Sequence, residues 1–149
     1  MFPFDDKTDF QCDTCKSTSK SDEVVKILNE AELKASEKVN MDYVIEYLET
    51  FLEEYKKILH CQNYIMLSVT MKLGFAYGNM PPKSVLTKLT DNQLERKLEL
   101  CNIGLKVLEI LDNGSMSESG WKKRLLNERM KTKLRQQGLT NGNVISIIE

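Results

Sequence analysis

The chain of 149 residues contains one histidine, one tryptophan, three prolines and four cysteines. His60 is the only imidazole. No apolar run approaches the roughly 20 residues that a membrane-spanning helix needs; Tyr64-Ile65-Met66-Leu67 is typical of the longest. There is no Gly-x-Gly-x-x-Gly, no phosphate-binding Gly-Lys-Ser/Thr loop and no His-Glu-x-x-His, so the common nucleotide and metalloprotease signatures are missing. Neither sign of charge dominates, because 21 basic residues face 22 acidic ones, and this excludes a globally basic nucleic-acid binder. Cys12, Cys15, Cys61 and Cys101 are too few and too irregularly spaced for a disulfide framework. Met1-Phe2-Pro3-Phe4-Asp5-Asp6 lacks the basic start and apolar stretch of a secretory signal, so the expected compartment is the reducing cytoplasm or nucleus.

What is present suits one compact folded domain: 41% hydrophobic residues against 29% charged ones. Residues 1–20 read as an irregular leader, polar and rich in Lys, Ser and Thr. Ser21 is placed to cap a first helix running to about Lys38, with Val24, Leu28, Ala31 and Ala35 on one face. Asn40 is placed to cap a second, whose inward stripe is Met41, Val44, Leu48, Phe51, Tyr55 and Leu59. Between Asn63 and Tyr77 apolar residues surround most of the helix, which therefore belongs at the centre of a bundle.

Gly78 suits a left-handed cap, and Pro81-Pro82 turn the chain. Thr90-x-x-Gln93 is a capping box opening a fourth helix, carrying Leu94, Leu98, Cys101, Leu105 and Leu108 and ending at Asn113-Gly114. Residues 118–137 form a more polar fifth helix, touching the core through Trp121, Leu125, Met130 and Leu134, with Gly138 as its cap. The predicted fold class is all-α, made of antiparallel helical hairpins of about five helices, divided into a leader (1–20), a helical domain (21–137) and a loose tail (138–149). No strict 34-residue period is present, so a consensus tetratricopeptide array is not expected.

Four features bear on chemistry. Cys12-x-x-Cys15 has the spacing at which two thiolates meet one Zn²⁺, but it supplies half of a four-ligand site; an unliganded pair and a redox dithiol are the alternatives. Cys61 and Cys101, in or beside helices, read as small apolar residues. His60 reads as a helix-end cap rather than the base of a Cys61/His60 nucleophile pair, since neighbours on a helix point about 100° apart. The stretch 121–135 holds seven basic residues, Lys122, Lys123, Arg124, Arg129, Lys131, Lys133 and Arg135, against one acidic residue. That basic face suits phosphates, an acidic partner or an import receptor, with Trp121 as an anchor; the alternative is a solvated helix balancing the acidic second one.

Taken in order, several stretches resemble the region after the SET domain in SMYD-type (SET and MYND domain-containing) proteins, particularly their arthropod branch. Phe4-Asp5-Asp6-Lys7-Thr8-Asp9-Phe10-Gln11-Cys12-Asp13-Thr14-Cys15 is similar to the approach to the last Cys-x-x-Cys of the family's post-SET segment. Leu59-His60-Cys61-Gln62-Asn63-Tyr64 resembles its Leu-His-Pro-Asn-His-Tyr motif, with Cys61 at the proline position and Gln62-Asn63 in place of Asn-His. Arg96-Lys97-Leu98-Glu99-Leu100-Cys101 is similar to the family's Arg-Lys-x-x-Leu-Cys helix, and Asp112-Asn113-Gly114 and Ser119-Gly120 to the loop that follows. The resemblance spans roughly residues 3–121 and does not extend beyond Trp121.

The family's activity is protein-lysine methylation with S-adenosylmethionine, performed by a SET domain. The resemblance therefore implies that this chain is a fragment of a longer protein whose SET and MYND parts lie upstream. It gives the chain no catalytic or cofactor-binding residue. Cys12 and Cys15 carry over as two zinc ligands whose remaining partners lie elsewhere. The expected role is a non-catalytic, tetratricopeptide-like helical module that binds a protein partner or its own SET lobe, and neither a membrane nor nucleic acid. The alternatives are a partial sequence of an active lysine methyltransferase and a small basic-helix binder of nucleic acid or an acidic partner.

Overall fold

The structure, a computed structural model, describes residues 10–11, 18–78, 89–111 and 120–138. Pro81-Pro82, Asn113-Gly114, the tail from Leu139 onward, and Cys12 and Cys15 lie outside the described residues. The chain divides into two units, Met1–Lys38 and Val39–Glu149. The sequence places the first helix with the later ones, whereas this division groups it with the residues before it.

In the first unit, β1 (Phe10–Gln11) pairs antiparallel with β2 (Thr18–Ser19), Phe10 opposite Ser19 and Gln11 opposite Thr18. The leader is therefore not wholly irregular. Aromatic and β-branched residues separated by a short connection pair at little entropic cost. Helix α1 spans Ser21–Ser36, with Asp22 and Glu23 at its positive end. The cap position is Lys20, without a side-chain cap, and Ser21 is the first helical residue; it is buried rather than capping. Ala31 is fully buried, while Val24, Leu28 and Ala35 are half-buried.

The second unit opens with a 3-10 turn at Met41–Tyr43, where the Asp42 N–H donates to the Asn40 carboxamide at 3.2 Å. Asn40 thus caps this turn, and α2 itself spans Val44–Tyr55. Leu48, Phe51, Tyr55 and Leu59 are buried as the stripe predicts, and the Phe51 and Tyr55 rings stack at 4.5 Å. Helix α3 (Tyr64–Ala76) is capped by Asn63, whose side chain accepts from the Ile65 N–H at 2.9 Å. Ile65, Met66, Leu67, Val69 and Leu73 are buried, in keeping with the central position of α3 between α2 and α4. Gly78 has φ 88°, a left-handed conformation that suits glycine.

Helix α4 (Asp91–Leu111) starts at the expected capping box: the Thr90 N–H donates to Gln93 Oε1 at 3.0 Å, and the Gln93 N–H to Thr90 Oγ1 at 3.4 Å. Helix α5 (Gly120–Gln136) closes at Gly138, with φ 73° and its N–H on the Arg135 carbonyl. Each of α2 to α5 packs on the next in chain order, so the unit is all-α, in hairpin-like succession. Leu125 is the main apolar anchor of α5, fully buried against Cys101 and Leu105, with Met71, Phe75 and Leu108 around them. Met130, expected to be a core contact, is instead 56% exposed, whereas Trp121, though 48% exposed, packs on Phe75 at the edge of this cluster. At about 100° per residue, Met130 falls well away from the stripe of Leu125 and Thr132.

Helices α4 and α5 approach closely at Gly104, where an added Cβ would stand 3.0 Å from Leu125 Cδ1. Leu125 is enclosed and has little room to yield, so extra bulk there overpacks the seam. Gly104→Val is expected to lower unfolding stability by about 1–3 kcal/mol, read as a lower urea midpoint with an unchanged slope. An unchanged midpoint would show that α4 and α5 do not meet as described.

Candidate functional site

The most concentrated chemistry among the described residues lies where α3 ends and α4 and α5 cross. Lys97, nearly two turns into α4, is fully buried. Its Nζ donates to Glu128 Oε2 on α5 at 2.6 Å and to the Tyr77 carbonyl at the end of α3 at 2.7 Å. An unpaired ammonium in such a place would carry a large desolvation cost. The last carbonyls of a helix have no partner within it and sit at its negative end, so the cation answers an unmet acceptor as well as a carboxylate. Glu128 is nearly buried and also has Lys131 Nζ at 3.7 Å from Oε1. The Thr132 hydroxyl, itself buried, donates to the Glu128 backbone carbonyl at 2.7 Å.

Arg96, the neighbour of Lys97, projects toward α2. Its Nε and Nη2 donate to the two oxygens of Glu49 at 2.9 and 2.7 Å, a bidentate pair, and its Nη1 donates to Glu99 at 2.6 Å. The Tyr77 hydroxyl donates to Glu49 Oε1 at 2.9 Å, so Tyr77 joins both halves of the network, by its ring to α2 and by its carbonyl to α4. Burial opposes the charge on Glu49, but hydrogen bonds from Arg96 and Tyr77, with the charge of Arg96, more than offset it and hold the carboxyl below its ordinary value of 4.5. Burial and the bond to Glu49 push the Tyr77 phenol up to about 12. Hydrogen bonding to Glu49 is the main cause raising Arg96.

Burial likewise pushes the Cys101 thiol up; Lys97 opposes this and Glu128 adds to it. A thiol held protonated and enclosed is a packing residue, not a nucleophile, which agrees with the apolar reading of Cys101. Cys61 departs from that reading, being exposed. Its Sγ lies 4.0 Å from His60 Nδ1, yet that nitrogen accepts the Gln62 N–H at 3.2 Å. His60 therefore braces its own turn through Nδ1.

The basic residues of α5 are distributed rather than gathered. At about 100° per residue, Lys122, Arg129 and Lys133 border one side of the buried stripe Leu125-Glu128-Thr132, and Arg124, Lys131 and Arg135 border the other. Lys123 faces away from that stripe. The Arg124 guanidinium stands 4.9 Å from the Phe75 ring centre and 5.2 Å from that of Trp121, and the two rings are 6.0 Å apart. Trp121 is thus engaged within the unit.

Among the described residues no group of three or more His, Cys, Asp or Glu is arranged to hold a metal ion. The predicted ligands Cys12 and Cys15 lie outside that range. Comparison of the chain with known family profiles, with curated proteins and with solved structures finds no match in any of the three.

The sequence reading assigns no role to Lys97, Glu128, Arg96, Glu49 or Tyr77. A signal was present nonetheless: Lys97 stands on the buried stripe of α4, at i+3 from Leu94 and i−4 from Cys101, and Glu128 holds the equivalent place between Leu125 and Thr132. One cation and one anion on the apolar stripes of two consecutive helices invite pairing.

Removing one partner leaves the other charge buried alone, so Lys97→Met is expected to cost about 3–5 kcal/mol, whereas Lys97→Met with Glu128→Met recovers most of it. Equal, additive losses in a double-mutant cycle would show that the pair is not coupled.

A second expectation concerns pH. Because the folded carboxyl of Glu49 is depressed, its contribution is complete above the unfolded value near 4.5 and is lost as pH falls through the folded one. The stability gap between wild type and Glu49→Gln should therefore narrow below pH 4.5. For Tyr77 the raised phenol contributes below 10.0 and loses that contribution as pH rises toward about 12, so Tyr77→Phe should flatten this alkaline limb. Identical pH profiles by chemical denaturation would contradict both assignments.

Proposed function

We propose that the chain is a non-catalytic helical module that holds a protein partner, in the manner of the helical region that SMYD-type proteins carry beside their SET lobe. The observation that carries this reading is the way the buried charges are used. Lys97 is taken up by Glu128 and the Tyr77 carbonyl, and Arg96 by Glu49 and Glu99. Among the described residues no buried side-chain nitrogen or oxygen is without a partner. Groups matched in this way fix helix positions; they do not wait for a substrate. The resemblance supports the same reading, since it aligns Arg96-Lys97 with a helix of the family's non-catalytic part. It would also give Cys12 and Cys15 to a zinc site completed by other residues, and S-adenosylmethionine to a SET domain outside this chain.

The test is methyl transfer. Purified chain, incubated with labelled S-adenosylmethionine and histone or other lysine-bearing proteins, is expected to transfer no label above a heat-treated control. Turnover that tracks folded protein would overturn the proposal.

A further inference from the structure

Helix α5 turns its widest apolar contact inward, through Leu125, yet keeps a second, narrower one on its other side. Leu126, Met130 and Leu134 follow at four-residue intervals and so run along the helix as one stripe. Leu126 is 40% and Met130 56% exposed, and Leu134 is half-buried. Cations border this stripe: Arg129 and Lys133 line its flank. The only acidic residue of α5, Glu128, is spent on Lys97 at the opposite, buried side. No acidic residue of α5 therefore lies on the side of Arg129 and Lys133.

From this arrangement we infer that the outward stripe of α5 is a docking seam for an acidic amphipathic helix of a partner protein. An aliphatic stripe flanked by one sign of charge is the pattern by which helices choose helical partners, the aliphatics giving contact and the flanks giving selection. A partner with leucines at the matching interval and Glu or Asp beside them buries Leu126 and Met130 and neutralises Arg129 and Lys133 together. Nucleic acid would meet the cations but leave the aliphatic side chains between them uncovered. A membrane surface calls for a broad apolar face with aromatic anchors, whereas the broad face of α5 is used against α4 and Trp121 packs with Phe75 and Arg124.

The inference rests on reading the chain as an interaction module, and its test has a separate readout. The full chain is titrated against a fluorescein-labelled synthetic helix carrying Leu at four-residue intervals flanked by Glu, and against the same peptide with Ser for Leu. Saturable anisotropy with the Leu peptide is expected, weakened about tenfold or more by Leu126→Ser with Met130→Ser, and by the Ser peptide. Both substitutions are at exposed positions, and an unchanged urea midpoint will show that the variant still folds.

Absence of saturable binding would overturn the inference, as would equal binding of the two peptides, which would mean charge alone. Tighter binding of duplex DNA or phosphatidylserine vesicles at the same ionic strength, or self-association that the paired substitution abolishes, would assign the stripe to another partner and overturn it too. Methyl transfer by the chain would overturn the broader reading without altering the peptide result. Loss of peptide binding in an inactive chain would remove the seam alone.

Discussion

A buried ammonium governs the second unit. Lys97 cannot be enclosed without acceptors, and the two it has come from different helices, a carboxylate on α5 and a terminal carbonyl of α3. Sliding either helix by one residue would leave the charge enclosed with nothing opposite it. Apolar packing specifies register less sharply, because hydrophobic attraction has no direction. The pair thus ties one register of three helices to the cost of a stranded charge.

Arg96 extends the constraint in the other direction. Adjacent on α4 and pointing about 100° apart, Arg96 and Lys97 reach α2 and α5 respectively, and Tyr77 links them through its ring and its carbonyl. Beside these polar contacts, Leu73, Leu100, Leu105 and Leu125 are buried on α3, α4 and α5. This arrangement accounts for the character of α5, the most polar helix of the unit. A few inward residues are enough to hold it, which leaves the rest of its surface to the cations and to the stripe of Leu126 and Met130.

The helices were legible because their signals were local. Asn63 as a cap, the Thr90/Gln93 box, the positive-φ glycines Gly78 and Gly138, and the all-round apolarity of α3 depend on residues only a few positions apart. Ser21 went astray because a good capping residue does not by itself decide where a helix begins, and the chain enters α1 one residue earlier, at Lys20. The inward setting of Met130 failed for a different reason: helical spacing tells which residues share a face, but on a helix with two apolar stripes it does not tell which stripe meets the core. The polar network was least legible. Lys97 and Glu128 are 31 residues apart, and charged side chains ordinarily signal solvent. Only their places on otherwise apolar stripes mark them as interior.

Amide hydrogen exchange under native conditions, comparing wild type with Lys97→Met, tests the role of the buried ammonium most directly. If Lys97 fastens α5, the amides of Leu125 to Thr132 will lose protection through a local opening in the variant while those of Val69 to Leu73 in α3 keep most of theirs. Uniform loss across all four helices, or no change in α5, would contradict that role.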